Sequence, residues 1–179
     1  MLQGAMPRLL VAPLSHLQDA IAAHQPSCLV SLLSPEHMIE TPAGYAAARH
    51  LKLGVNDVAD PAAGENPPSR IHIDRLLDFS RGWDTKQPLL IHCWAGISRS
   101  MASAYAVLCD RAGPGREVEM ALAIRKAAGH ANPNLLLVHH ADAALGRGGR
   151  MVEAVKAMGP PLQVMEGVTT ALLLPLAPP

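Results

Sequence analysis

Leu89-Leu90-Ile91-His92-Cys93-Trp94-Ala95-Gly96-Ile97-Ser98-Arg99-Ser100 is the stretch that decides the fold. Its opening residues, 89–92, are an apolar run after Pro88 and read as a short buried strand. A five-residue loop follows Cys93. An uninterrupted helical pattern then begins at about Ser98 and runs to Arg111, where Gly113-Pro114-Gly115 stops it. A strand-to-helix turn of this kind aims successive backbone N–H groups inward, and the helix N-terminus adds partial positive charge. Together they form an anion cradle. Arg99 can grip two oxygens of a phosphate held there. Cys93 sits beside that positive potential, which favours a thiolate, and a thiolate facing phosphorus can form a phosphocysteine. The N–H groups and Arg99 supply the charge stabilisation, so this chemistry requires no metal and no cofactor.

A Cys followed six residues later by an Arg is weak by itself. With 3 cysteines and 11 arginines in 179 positions, chance supplies one at roughly 0.18. Gly96 in mid-loop, with Ser98 and Ser100 flanking Arg99, brings that figure below about one in a thousand. The stretch resembles the signature loop of the cysteine-dependent protein tyrosine phosphatase superfamily: His-Cys, two residues, Gly, two residues, Arg, then Ser or Thr. The short chain resembles the compact dual-specificity branch, which includes small tyrosine phosphatases of bacterial type. The low-molecular-weight branch carries its loop near the N-terminus, whereas this loop lies mid-chain. Asn132-Pro133-Asn134 resembles the opening of that family's last core helix.

The resemblance implies roles by position. Cys93 matches the nucleophile and Arg99 the phosphate-binding arginine. Ser100 matches the hydroxyl that eases departure of the thiolate when the intermediate is hydrolysed. Trp94, Ala95, Gly96, Ile97 and Ser98 with Arg99 match the phosphate-binding loop. His92 matches the residue that orients and tunes the cysteine from behind. In a strand it points to the opposite face from Cys93, so it is not read as a base that transfers the proton directly. The implied reaction is hydrolysis of phosphotyrosine, with phosphoserine or phosphothreonine as further substrates. Two other readings stand beside it: a phosphatase for a small molecule of the inositol phosphate type, and a phosphate-binding protein without catalysis.

The leaving group needs a proton from a carboxylic acid. In compact members of the family this Asp stands on a loop after a strand, some three dozen residues before the cysteine. Here Leu-Lys-Leu-Gly-Val at 51–55 alternates as a strand, and Asn56-Asp57 ends it. Asp57 is the first candidate for the acid, and Asp60 on the same loop is the second; the other of the two is a turn former. Trp83-Asp84 lacks a proline between its two residues and precedes the strand at its wrong end, so it is rejected.

Working outward, residues 8–12 and 28–33 read as strands. A helix opened by Pro13 and Ser15 runs through Leu17, Ala20 and Ile21 between them. The Ala-rich segment 36–50 predicts a short helix. Residues 56–68, with their prolines and Gly or Asn turn signals, read as a loop. Ser69 predicts the N-cap of a helix through Ile71, Leu76, Leu77 and Phe79. Helices are predicted over 117–128, 134–145 and 151–158, and an edge strand over 169–174. The sum is an α/β domain with a small, mostly parallel central sheet, the loop lying between a central strand and a helix. It occupies residues 1–158, followed by a Pro-rich tail over 159–179 that packs on it or extends from it.

Composition excludes other classes. Lys+Arg and Asp+Glu are both 15 and aromatics are 3%, so a basic or base-stacking nucleic-acid binder is disfavoured. No apolar stretch is long enough for a membrane helix, and no signal peptide stands out. The odd number of cysteines argues against a disulfide scaffold; Cys28 and Cys109 read as buried apolar residues, and a reducing cytoplasm is the expected compartment. His139-His140 lacks a partner at metal spacing. Gly146-Arg147-Gly148-Gly149-Arg150 reads as a helix stop with flanking charges rather than a phosphate site. Trp94 is expected to line the pocket mouth or to pack underneath. The expected partner is a phosphorylated protein or small phosphoester, and nothing in the sequence specifies an oligomeric state.

Overall fold

The computed structural model describes residues 8–175. Strands β1 (Arg8–Pro13), β2 (Cys28–Leu33), β3 (His50–Gly54) and β4 (Leu89–Cys93) run parallel in the order β3-β2-β4-β1. A fifth strand, β5 (Thr170–Leu173), adds antiparallel to the outer side of β1. The inner strands are covered on both faces, which is why β1, β2 and β4 read as largely apolar runs, whereas the edge strand β3 alternates.

The two faces are unequal. On one, Leu17 and Ala20 of α1 (Leu17–His24) pack on Leu10, Leu29 and Leu90. On the other lies the main core, where Leu9, Val11, Val30, Leu32, Leu53, Leu89 and Ile91 meet the remaining helices. These are α2 (Arg70–Arg81), α3 (Arg99–Ala112), α4 (Glu117–Ala127), α5 (Leu135–Leu145) and α6 (Arg150–Ala157). Helix α3 is central: every residue from Arg99 to Cys109 is buried. Ala102, Ala104 and Ala106 keep it slim enough to fit between the sheet and its neighbours. The architecture is the α/β fold with a small, mostly parallel sheet that the sequence predicts.

Two expectations need correction. No α-helix forms between residues 36 and 50; two single 3-10 turns, Pro35–His37 and Ala47–Arg49, stand there instead. Pro42, Gly44 at φ +90° and Pro35 break the Ala-rich pattern before a helical nucleus can close. Cys28 is half-buried rather than buried, because it opens β2 at the rim of the sheet. Cys109 is buried as expected, and burial pushes its thiol up to about 12.

Beyond α6 the chain runs back past the 94–98 loop before entering β5; its last residues, 176–179, lie outside the described part. The glycine-rich stop is built from within. Gly146 ends α5 in the left-handed region, and the buried Asp142 carboxylate accepts from Gly149 N–H at 2.7 Å and Met151 N–H at 2.8 Å. Arg147 is buried beside Glu117, 3.7 Å away, so it faces inward.

Asp142 thus satisfies two N–H groups at the start of α6. Asp142→Ala leaves both without an acceptor and is expected to lower unfolding free energy by about 2 kcal/mol in urea titrations, with the slope unchanged. A loss within experimental error would show that water replaces the carboxylate at no cost.

Candidate active site

The loop 94–98 lies at the C-terminal end of β4, the end at which open parallel sheets bind ligands. Its conformation is set from outside. Trp94 O accepts from Leu14 N–H (3.0 Å), and Ala95 O from Gly167 N–H (2.8 Å). Ile97 O accepts from Asn132 N–H (3.0 Å), while Ser98 O accepts from Ala102 N–H (2.9 Å) and Asn134 N–H (3.3 Å). A trans peptide points its C=O and N–H in opposite directions. Carbonyls drawn outward therefore turn the N–H groups of Ala95, Gly96, Ser98 and Arg99 inward. None of these four donates to another backbone group among the described residues. They and the N-terminus of the 14-residue α3 make a concave donor surface.

Gly96 makes the turn feasible. Its φ is +69°, and a Cβ there would stand 2.7 Å from Pro13 N and 3.0 Å from Ala12 C. Any side chain would collide with the β1 backbone. Gly167 is as confined on the outer side, where a Cβ would meet His130 Nε2 at 2.5 Å and Gly96 O at 3.1 Å.

The side chains expected at the site converge. Cys93 is 1% exposed, and its Sγ stands 3.1 Å from Ser100 Oγ at the start of α3. Arg99 is buried, donates Nη1–H to Val55 O at 2.8 Å, and holds Nε 3.8 Å from Asp57 Oδ2. Its buried Nε–H has no hydrogen-bond acceptor among the described residues. Asp57 Oδ1 accepts from Ser98 Oγ–H (2.7 Å) and from Asn134 Nδ2–H (2.9 Å). Asn134 also donates to Val58 O and caps α5 through Oδ1, so the acid loop is tied to a helix end. The structure places Asp57, and not Asp60, against the loop; Asp60 Oδ1 serves an exposed turn by accepting from Ala62 N–H. Trp94 is 55% exposed, with its ring edge-on to His37 at 5.5 Å between centroids. It stands at the surface beside the loop rather than beneath it.

His92 lies on the α1 face, opposite Cys93, and is fully buried. Its Nε2 is 2.6 Å from Ser31 Oγ, which is 2.8 Å from His50 Nε2; His50 Nδ1 is 3.0 Å from Thr41 Oγ1. Burial, with the nearby His50 and Arg99 charges adding to it, pushes His92 down to about 4. Burial and then Lys52 push His50 down to about 4 as well. Sequence reasoning gave Ser31 and His50 no role. Their only signal was a polar residue at an otherwise apolar strand position.

Other candidates dissolve. His139 and His140 pair with each other edge-on, and His140 Nε2 lies 3.2 Å from Pro68 O. No group of three His, Cys, Asp or Glu stands ready for a metal among the described residues, and no helix there is long and apolar enough to cross a membrane.

No protein-family model matches the chain, and no curated protein matches it in sequence. Its fold is shared with solved structures of DUSP15 and PTPMT1. The crystal structure of DUSP15 superposes with a TM-score of 0.55 at 19% identity, covering 86% of this chain and 91% of that one. The crystal structure of PTPMT1 in complex with PI(5)P gives 0.53 at 15% identity, over 82% and 89%. A second PTPMT1 structure gives 0.53 at 17% identity, over 83% and 92%.

Two buried imidazoles predict a pH effect on stability. Their folded values near 4 lie below the ordinary 6.5. The unfolded chain therefore binds more protons between the two, and stability present above pH 6.5 is lost as pH falls toward 4. At pH 5 the loss is about 2 kcal/mol per ring. Urea unfolding at pH 7 and pH 5 checks this, and His50→Gln should remove roughly half of the slope that the two rings contribute. Stability that is flat or rises over that interval would contradict the burial argument.

Proposed function

We propose that the chain is a phosphomonoesterase that hydrolyses phosphotyrosine through a phosphocysteine intermediate. The observation that carries this reading is the ring of inward N–H groups around a buried cysteine, with an unmatched arginine Nε–H beside it. Such a surface suits a tetrahedral dianion, and a thiol at its centre suits attack on phosphorus.

In the first step the Cys93 thiolate attacks phosphorus in line with the leaving oxygen. The S–P bond forms, the P–O bond to the substrate breaks, and Asp57 gives its proton to the departing oxygen. Ser98 and Asn134 fix Asp57 Oδ1, leaving Oδ2 to carry that proton. Arg99 and the loop N–H groups hold the three equatorial oxygens while charge is redistributed. In the second step Asp57 takes a proton from water as the water oxygen attacks phosphorus. The S–P bond breaks, the thiolate accepts a hydrogen bond from Ser100 at the 3.1 Å contact, and phosphate leaves.

The substrate side is supported by what rims the loop. Trp94 and His37 offer aromatic surface against which an aryl phosphate can lie. Trp94, Ala95 and Ile97 carry no charge. The inositol phosphate reading has in its favour that PTPMT1, bound to PI(5)P, shares the fold; it lacks the loop lysines that a multiply anionic headgroup calls for. The non-catalytic reading must explain why a thiol, an arginine and a carboxylate meet at one loop. The domain is read as residues 1–158, with the described part of the tail bracing it through Leu162, Gly167 and β5. Three free cysteines fit a reducing cytoplasm.

Turnover of p-nitrophenyl phosphate without added metal tests the proposal, with Cys93→Ser expected to be inactive yet still to bind vanadate. Asp57→Asn should slow hydrolysis of poor leaving groups by roughly 10² to 10⁴, the range for a positioned general acid. The loss should shrink with difluoromethylumbelliferyl phosphate, and the bell-shaped pH profile should lose its basic limb. Asp60→Asn should be mild. Leaving-group dependence in Asp60→Asn instead would move the acid to Asp60, and activity in Cys93→Ser would remove the phosphocysteine altogether.

A further inference from the structure

The tail after α6 crosses the outer surface of the phosphate loop, and it forms no helix or strand between residues 159 and 169. It is fastened on both sides of that crossing. Arg125 Nη2–H donates to Gly159 O at 3.1 Å, and Leu162 N–H donates to Gly129 O at 2.9 Å. Glu166 accepts from Ser15 Oγ–H and stands 3.9 Å from His16 Nε2. Past the crossing, β5 pairs with β1 from Thr170 to Leu173. Two glycines let the chain lie this close. A Cβ at Gly129 would meet Leu162 Cδ1 at 2.8 Å, and one at Gly167 would meet His130 Nε2 at 2.5 Å as well as Gly96 O at 3.1 Å. His130 is itself buried, so its ring is not free to swing into solvent.

Between these fastenings Gly167 N–H donates to Ala95 O at 2.8 Å. This bond does what its neighbours do not. The carbonyls of Trp94, Ile97 and Ser98 are held by Leu14, Asn132, Asn134 and Ala102, all in the body of the domain. The Ala95 carbonyl is held by the tail alone among the described residues. On the same planar peptide, opposite Ala95 O, is the Gly96 N–H, one of the four donors turned inward. A peptide that precedes glycine turns over readily, because no Cβ at that residue opposes the other orientation. Turned over, it would aim Ala95 O into the cradle in place of an N–H and set an acceptor against the phosphoryl oxygens. The peptide plane of the loop that is easiest to turn is therefore the one that the tail restrains.

We propose that Gly167 is a positioning residue of the candidate active site: the tail crossing holds the Ala95–Gly96 peptide with its N–H toward the bound phosphate, so the working site draws on the tail and is not complete at the end of α6. The proposal rests on the phosphatase reading for its effect on turnover, though not for its effect on anion binding. The coupling runs both ways. If a seated tail tightens anion binding by some factor, a bound anion must favour the seated tail by the same factor. The Gly167 N–H, which is released only when the tail lifts from Ala95 O, reports that second effect directly.

Tungstate titration followed in ¹H–¹⁵N spectra, combined with steady-state kinetics, tests this. In the wild type, hydrogen exchange at Gly167 should slow about tenfold at saturating tungstate. Gly167→Ala drives a Cβ onto His130 and lifts the tail from the loop. It should weaken tungstate binding and lower kcat/KM for p-nitrophenyl phosphate by about tenfold each, a part of what losing one oxyanion donor costs. Its Gly96 amide should no longer move downfield on adding tungstate, while those of Ser98 and Arg99 still do; a general structural defect would not single out one amide. His130→Ala in the same chain removes the ring that the new side chain meets and should recover both quantities to within about threefold of wild type. Unchanged tungstate affinity and Gly96 response in Gly167→Ala, or Gly167 exchange in the wild type that is indifferent to tungstate, would overturn the proposal. If Gly167→Ala fails to fold, the wild-type exchange decides alone. If the wild type binds tungstate but turns over no phosphate ester, the phosphatase reading fails, and the tungstate measurements still decide the role of Gly167. If tungstate binds nowhere on the chain, both fall.

Discussion

Four of the five carbonyls of the 94–98 loop are held by separate segments: Leu14 just after β1, the turn at Asn132 and Asn134, the first turn of α3, and the returning chain at Gly167. This outward pull is what turns the N–H groups toward Cys93. An isolated loop would gain nothing by gathering unsatisfied donors at one point, since each can instead reach water. The surrounding fold makes that arrangement obligatory. Gly96 is its geometric condition, because its left-handed φ brings the loop against the Pro13 backbone where a Cβ cannot fit.

The rest of the architecture serves to fix those anchors. The end of β1 supplies the Leu14 N–H, and the end of β3 delivers Val55 O to Arg99 and Asp57 to Ser98. Helix α5 begins at Asn134, whose side chain caps the helix and at the same time holds Asp57. The nucleophile, the arginine and the acid are thus set by elements distant in sequence, and each is buried or tied by at least one hydrogen bond. The two faces of the sheet divide the labour: the thick face carries Cys93 and α3, while the thin face carries the polar line through His92, Ser31 and His50.

Much of this was legible in the sequence because it is local. Three of the four parallel strands announce themselves as apolar runs and β3 as an alternation, and the Cys93–Arg99 spacing with Gly96 defines the loop before any contact is known. Asp57 could be ranked above Asp60 only on its place after a strand; the contacts that separate them, to Ser98 and Asn134, join residues 41 and 77 positions apart. The 36–50 segment misled because alanine content outweighed the prolines and Gly44. Ser31, His50 and Gly167 could not be found, since a single polar residue in a strand, or a glycine in a tail, declares a role only when its distant partner is in place.

The central claim is that the sulfur of Cys93 carries the phosphoryl group between the two steps. Rapid quench of the wild-type chain during turnover of a phosphotyrosine peptide, followed by mass spectrometry of the fragment spanning Cys93, tests it directly. The account predicts a phosphoryl group on the Cys93 sulfur that forms as the peptide is dephosphorylated and decays as phosphate appears. A phosphoryl group on another side chain, or a burst of product with no covalent species, would contradict it.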